Sequence, residues 1–180
     1  MKYTYRQGYL DLFCGIYALV NATAIVADEF TWGNAQDVFI DASKLLNERG
    51  TLIHVMENCI GFNDAMAIFD TILAPRFGLV REQPFKHMRK VSVKKFCREV
   101  DRFLKADRNH SVVTIFQNRH WVHWTVITQV KPKTLVLSDS ARRTFLHRNF
   151  LTTDRRGKGK STRILAKPTL FVYRRKIDLA

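Results

Sequence analysis

Three side chains of the 180-residue chain could together do nucleophilic chemistry: Cys14, His123 and Asp139. Cys14 opens the stretch CGIYALVNA, where an irregular start gives way to an apolar helix. The bare N–H groups and the dipole at a helix N-terminus favour a thiolate, the form of cysteine that attacks a carbonyl carbon. Such a nucleophile needs a base to take its proton and a third group to orient that base. His123 falls inside WVHWTVITQV and Asp139 closes TLVLSD. Both stretches read as strands, and the short KPK between them makes them antiparallel neighbours. In that hairpin residues sixteen apart can come side by side. Asp139 is the sole acid between residues 108 and 153, so it is not part of a solvated acidic run.

Each of these residues also has a plain structural reading. Cysteine is often a small buried hydrophobe, so Cys14 could simply fill the core. Cys59 and Cys97 have neither a helix start nor a partnered histidine and are assigned to the core. His120 competes with His123, since each precedes a tryptophan. Strand residues three apart point to opposite faces, so at most one of the two faces a cleft. His123 has the better spacing to Asp139. Trp121 and Trp124 read as packing residues, one of which could wall the site. A zinc site is disfavoured, because the two histidines split across the strand and no cysteine is near them in sequence. The GKGKST run at 157–162 lacks the spacing and the strand–helix setting of a phosphate loop. No metal and no cofactor are expected.

The elements that must position these residues follow from periodicity. Helices are predicted over 13–27, 34–48, 52–59, 63–73 and 92–105. Asp11, Asn34 and Ser92 are the expected caps of the first, second and last of them, Gly50 the stop of the second, and Pro75 the limit of the fourth. Strands are predicted over 111–117, 121–130, 134–139 and 169–175, with a polar, basic loop over 152–163. The expected architecture is one α+β domain over 1–180. A helical part, about 1–108, packs on an antiparallel sheet part, about 109–180, with the cleft between them. Cys14 is expected to face that cleft as a surface thiol.

On these residues the chain resembles the papain-like cysteine peptidases. CGIYALVNA is similar to their nucleophile helix, and HWTVITQVKPKTLVLSDS (123–140) to their histidine hairpin, above all in the bacterial double-glycine-leader peptidases. The His–Trp and Asp–Ser pairs also resemble the ubiquitin-like-protein peptidases, but those place His and Asp before Gln and Cys. The order here is that of the papain, double-glycine-leader and Josephin-type enzymes. The resemblance implies a papain-like fold and four roles. Cys14 attacks the scissile carbonyl, His123 holds the thiolate and protonates the leaving amine, and Asp139 fixes the imidazole. Gln7 donates to the oxyanion beside the Cys14 N–H. Six residues separate Gln7 from Cys14, slightly more than is usual in the clan.

The composition excludes some classes and opens others. An apolar fraction of 46% argues against a disordered chain. No apolar run reaches the length of a membrane span. MKYTYRQGYLDLF lacks the basic start and apolar run of a signal peptide, and three scattered cysteines suit a reducing compartment. A cytoplasmic location is expected, with an exported effector as the alternative. The net charge of +14 is uneven: residues 1–80 carry −4 and residues 142–180 carry +10. The basic end, including Arg155, Arg156, Lys158 and Lys160, would steer an acidic protein or peptide substrate. Two rival readings stand beside the peptidase. One is glutamine deamidation or acyl transfer by the same thiol. The other is a non-enzymatic basic module that binds an acidic partner or nucleic acid.

Overall fold

The apolar stretch after Cys14 forms α1 (Cys14–Val26) in the computed structural model, which describes residues 4–8, 12–119, 121–154 and 162–174. Nearly every side chain of α1 is buried, because the helix is covered on one side by the sheet and on the other by later helices. Asn21 and Thr23 are the buried polar residues within it, and Thr23 donates back to Leu19 O. For Asn21 the partner is further away. The Asn21 amide accepts from Tyr5 N at 2.7 Å and donates to Tyr5 O at 3.0 Å, which ties the N-terminal segment to the helix. The N-cap position is Phe13, and no side chain there caps the first N–H groups. The expected cap, Asp11, lies outside the described residues, as do His120, Arg155, Arg156, Lys158 and Lys160.

Helix α2 (Trp32–Glu48) starts two residues earlier than its pattern suggests. Thr31 is the cap, and Asn34 closes a capping box from the third helical position instead of opening the helix. Gly50, at φ 69°, ends it as expected. After α3 (Leu52–Asn58), helix α4 (Phe62–Ile68) runs through a π-helical turn (Phe69–Leu73) into α5 (Ala74–Phe77). Pro75 therefore does not stop the helix. It sits in the first turn of the new segment, where its missing N–H has no bond to lose. The turn ends at Gly78, φ 64°.

The sheet has seven strands in the order β1-β7-β2-β3-β4-β5, with β6 beside β7. They are β1 (Leu79–Glu82), β2 (Ser111–Gln117), β3 (Val122–Val130), β4 (Thr134–Ser138), β5 (Phe145–His147), β6 (Leu151–Thr152) and β7 (Thr162–Arg174). All pairs are antiparallel except the short β6–β7 ladder. Strand β1 lies inside the region expected to be helical, and β7 starts well before residue 169. Helix α6 (Val93–Ala106), capped by Ser92, buries Phe96, Cys97 and Val100 against the sheet face opposite α1. The chain is thus mixed α/β, with most helices in its first half. The helical first part and the antiparallel sheet are as expected, and α6 adds a helix on the second face of the sheet.

Candidate active site

The site is assembled by the start of α1 and the ends of β3 and β4. Val126 pairs with Ser138, so the neighbouring positions Thr125 and Asp139 come opposite, and His123 stands two residues along β3. His123 Nε2 and Asp139 Oδ2 are 2.8 Å apart. Asp139 Oδ1 meanwhile accepts from the backbone N–H of Ala141 at 2.9 Å and of Arg143 at 3.3 Å, which orients the carboxylate. Nε2 is taken by Asp139, which leaves Nδ1 as the other ring nitrogen, and the Cys14 thiol and the imidazole are near enough to shift each other's pKa. The structure therefore brings Cys14, His123 and Asp139 together. Gln7 joins them through the residue after Asp139: its Oε1 accepts from Ser140 Oγ at 2.9 Å, and its N–H donates to Ser140 O at 3.3 Å.

Cys14 is 4% exposed and His123 9%, so the thiol is buried and does not face an open surface. Burial alone would depress the His123 pKa. The hydrogen bond to Asp139, with Cys14 adding to it, outweighs burial and raises it to about 9. Burial likewise favours a protonated Asp139, and the His123 hydrogen bond and charge reverse that and hold the carboxyl below its ordinary value. The stability this pair supplies is complete below the unfolded imidazole value of 6.5 and is lost as pH rises through about 9. Its acid limit is set by Asp139: the contribution is present above 3.8 and is lost as pH falls through the lowered carboxyl pKa. Asp139→Asn keeps the turn hydrogen bonds but removes the charge. Denaturant titrations across pH should find it less stable by on the order of 2 kcal/mol on the mildly acidic plateau. The gap should close above about pH 9. A gap independent of pH would show that the pair is not ionised.

Sequence reasoning missed Cys59. It is half-buried at the edge of the core, and its Sγ lies 2.9 Å from Cys14 Sγ. Both thiols are free. Cys59 ends α3 with φ 79° and ψ 155°, a region that glycine alone adopts readily, at a cost of about 1–3 kcal/mol for a side chain. The two sulfurs share their environment unequally. The hydrogen bond to Cys59, then burial, pushes the Cys14 thiol far up, with the His123 imidazole opposing. Cys59 is pushed down, first by Cys14 and then against the cost of burial by the N–H groups of Ile60 and Gly15. The Gly15 N–H at the start of α1 thus favours negative charge on Cys59. Cys97 is buried in α6, where burial raises its thiol, and it packs as core.

Gly15 explains why a glycine follows the nucleophile. A Cβ there would meet Ile60 Cγ2 at 1.9 Å and Trp124 Cδ1 at 3.2 Å. The turn that carries Cys59 packs directly on the helix start. Trp124 Nε1 donates to Ile60 O at 3.1 Å and holds that turn from the strand side. Gly15→Ala should cost about 1–3 kcal/mol by overpacking and should separate the two sulfurs. Denaturant unfolding checks the first effect, and the yield of a Cys14–Cys59 cross-link checks the second. Trp121 is the tryptophan beside the histidine: its ring is 6.0 Å from His123 and lies under the Arg143 guanidinium at 4.0 Å.

Among the described residues, no group of three or more His, Cys, Asp or Glu is placed to hold a metal ion. No helix among them is long and apolar enough to cross a membrane. No protein-family model, curated protein or solved structure is detectably similar to this chain.

Proposed function

We propose that this chain is a papain-like cysteine hydrolase that cuts a peptide or isopeptide bond. The observation that carries the reading is the Nε2–Oδ2 bond of 2.8 Å between His123 and Asp139, formed beside a cysteine that starts a helix. Asp139 is fixed by the Ala141 and Arg143 N–H groups through its other oxygen, so Oδ2 is left to orient the histidine.

The roles follow from that geometry. Asp139 holds Nε2–H and so presents Nδ1 to Cys14. The protonated ring holds the Cys14 thiolate as an ion pair, Cys14 Sγ attacks the carbonyl carbon, and the charge moves to the carbonyl oxygen. The Cys14 N–H at the start of α1 would donate to that oxyanion. The Gln7 side chain is held beside Asp139 by its oxygen on Ser140, and its amide would donate to the oxyanion. His123 then protonates the leaving amine, and a water activated by the same ring releases the acyl group.

The test is incubation with a degenerate peptide pool, read by mass spectrometry against Cys14→Ala. New amino termini that vanish in the variant support the reading. A gain of about one mass unit on glutamine without cleavage reassigns the same thiol to deamidation. Products identical in both proteins overturn Cys14 as the nucleophile. Salt-sensitive DNA binding that survives Cys14→Ala, with no product, favours the basic binding module.

A further inference from the structure

Two thiols converge where the hydrolytic reaction needs one. Cys14 Sγ and Cys59 Sγ are 2.9 Å apart and unbonded. That is about 0.9 Å longer than a disulfide bond. Cys59 is not there by default. At φ 79° and ψ 155° the end of α3 suits glycine, and the chain places Gly61 two residues further on. A side chain is kept in this unfavourable conformation, and its sulfur is aimed at the nucleophile. The arrangement is braced on both sides. Ile60 packs against Gly15 with no room to spare, and Trp124 holds its carbonyl. The two sulfurs also differ in access, Cys14 being buried and Cys59 half-exposed.

We propose that Cys59 is an oxidation site for hydroperoxides, and that Cys14 resolves it into a reversible disulfide that switches the nucleophile off without destroying it. The inference rests on Cys14 being the reactive thiol of the proposed hydrolase. In the first step the Cys59 thiolate attacks the hydroperoxide. An S–O bond forms and the O–O bond breaks. Cys59 is oxidised to the sulfenic acid, and the peroxide is reduced to water or an alcohol after taking up a proton. In the second step the Cys14 thiolate attacks the sulfenic sulfur. The S–S bond forms, the S–O bond breaks, and hydroxide leaves as water, with His123 placed to supply the proton. A low-molecular-weight thiol reopens the bond by exchange and is itself oxidised. The half-exposed sulfur is attacked first, so the buried nucleophile is spared the irreversible steps to sulfinic and sulfonic acid.

The experiment treats the whole protein with hydrogen peroxide, then with dithiothreitol, and reads intact mass and peptide maps. Wild type should lose two hydrogens, show a Cys14–Cys59 linkage, lose Cys14 alkylation, and regain it with dithiothreitol. In Cys59→Gly, which suits the backbone at 59, Cys14 should instead reach sulfinic or sulfonic acid and stay unlabelled after reduction. Cys59→Ser, closer in shape, should repeat that loss. Irreversible oxidation of Cys14 to the same extent in wild type and both variants overturns the proposal, as does a linkage that uses Cys97. The linkage is read without any substrate, so the two proposals fail separately. A chain that forms it but cleaves nothing loses only the hydrolase reading. A chain that cleaves through Cys14 but forms no linkage loses only this one.

Discussion

Cys14→Ser and His123→Ala each lower kcat/KM on a cleaved peptide by about 10⁴-fold or more, while Asp139→Asn costs clearly less. Nucleophile and base act as one unit, so removing either leaves only binding and the oxyanion donors. Asparagine at 139 can still accept from the Ala141 and Arg143 N–H groups and still faces the ring, so orientation is partly kept as charge is lost. Serine is the informative replacement at 14. The residue is 4% exposed and wedged between Cys59 and His123, so alanine also leaves a small cavity and mixes a packing defect with the chemical one. The measurement is steady-state cleavage of one defined peptide. A Cys14→Ser rate near that of wild type removes the hydrolase reading. An Asp139→Asn loss as large as that of His123→Ala would mean that the carboxylate does more than orient the ring.

What the sequence made legible was local. The start of α1 could be read at Cys14 because apolar residues begin there and continue unbroken. The hairpin could be read because β-branched and aromatic runs flank a short polar gap, which fixes the separation of His123 and Asp139. What it hid was set by partners far along the chain. Strand β1 has only four residues, one of them buried, and exists because β7 offers Arg174 to Phe171 as a ladder. The amphipathic stripe of α6 shows that it covers something, but an apolar stripe does not say which face of a sheet it will cover. Pro75 was misjudged because the π turn before it, which removes the penalty, has no sequence signature of comparable strength. Cys59 was hidden for the same reason: its role comes from a contact 45 residues away. One signal was present. Helix α3 ends on a cysteine where glycine is the usual residue, and that substitution against backbone preference marked the position.

Cys59→Gly should move the alkylation profile of Cys14 to lower pH, and this is the second large effect. In wild type the two sulfurs are close enough to share a proton, so they titrate as a pair. The N–H groups of Gly15 and Ile60 favour charge on Cys59, and a thiolate there makes a second one on Cys14 costly. The largest cause of the raised Cys14 pKa therefore disappears with the Cys59 sulfur. Burial still opposes ionisation, but the His123 imidazole and the Trp124 N–H both favour it. Glycine also relieves the backbone at φ 79°, so the fold should not suffer. Each unit by which the thiol pKa falls gives about tenfold more thiolate at a pH below it, so iodoacetamide should label Cys14 at neutral pH at least about tenfold faster than in wild type. The upper boundary is set by His123, which keeps its proton up to about 9 and then ceases to stabilise the thiolate. In wild type the same reagent should go to Cys59 first, since that sulfur carries the charge and is the more exposed. Peptide mapping after timed labelling at several pH values measures both rates. If Cys14 labels first in wild type and its profile is the same in Cys59→Gly, the sulfurs are independent, and the charge at the helix start belongs to Cys14 alone.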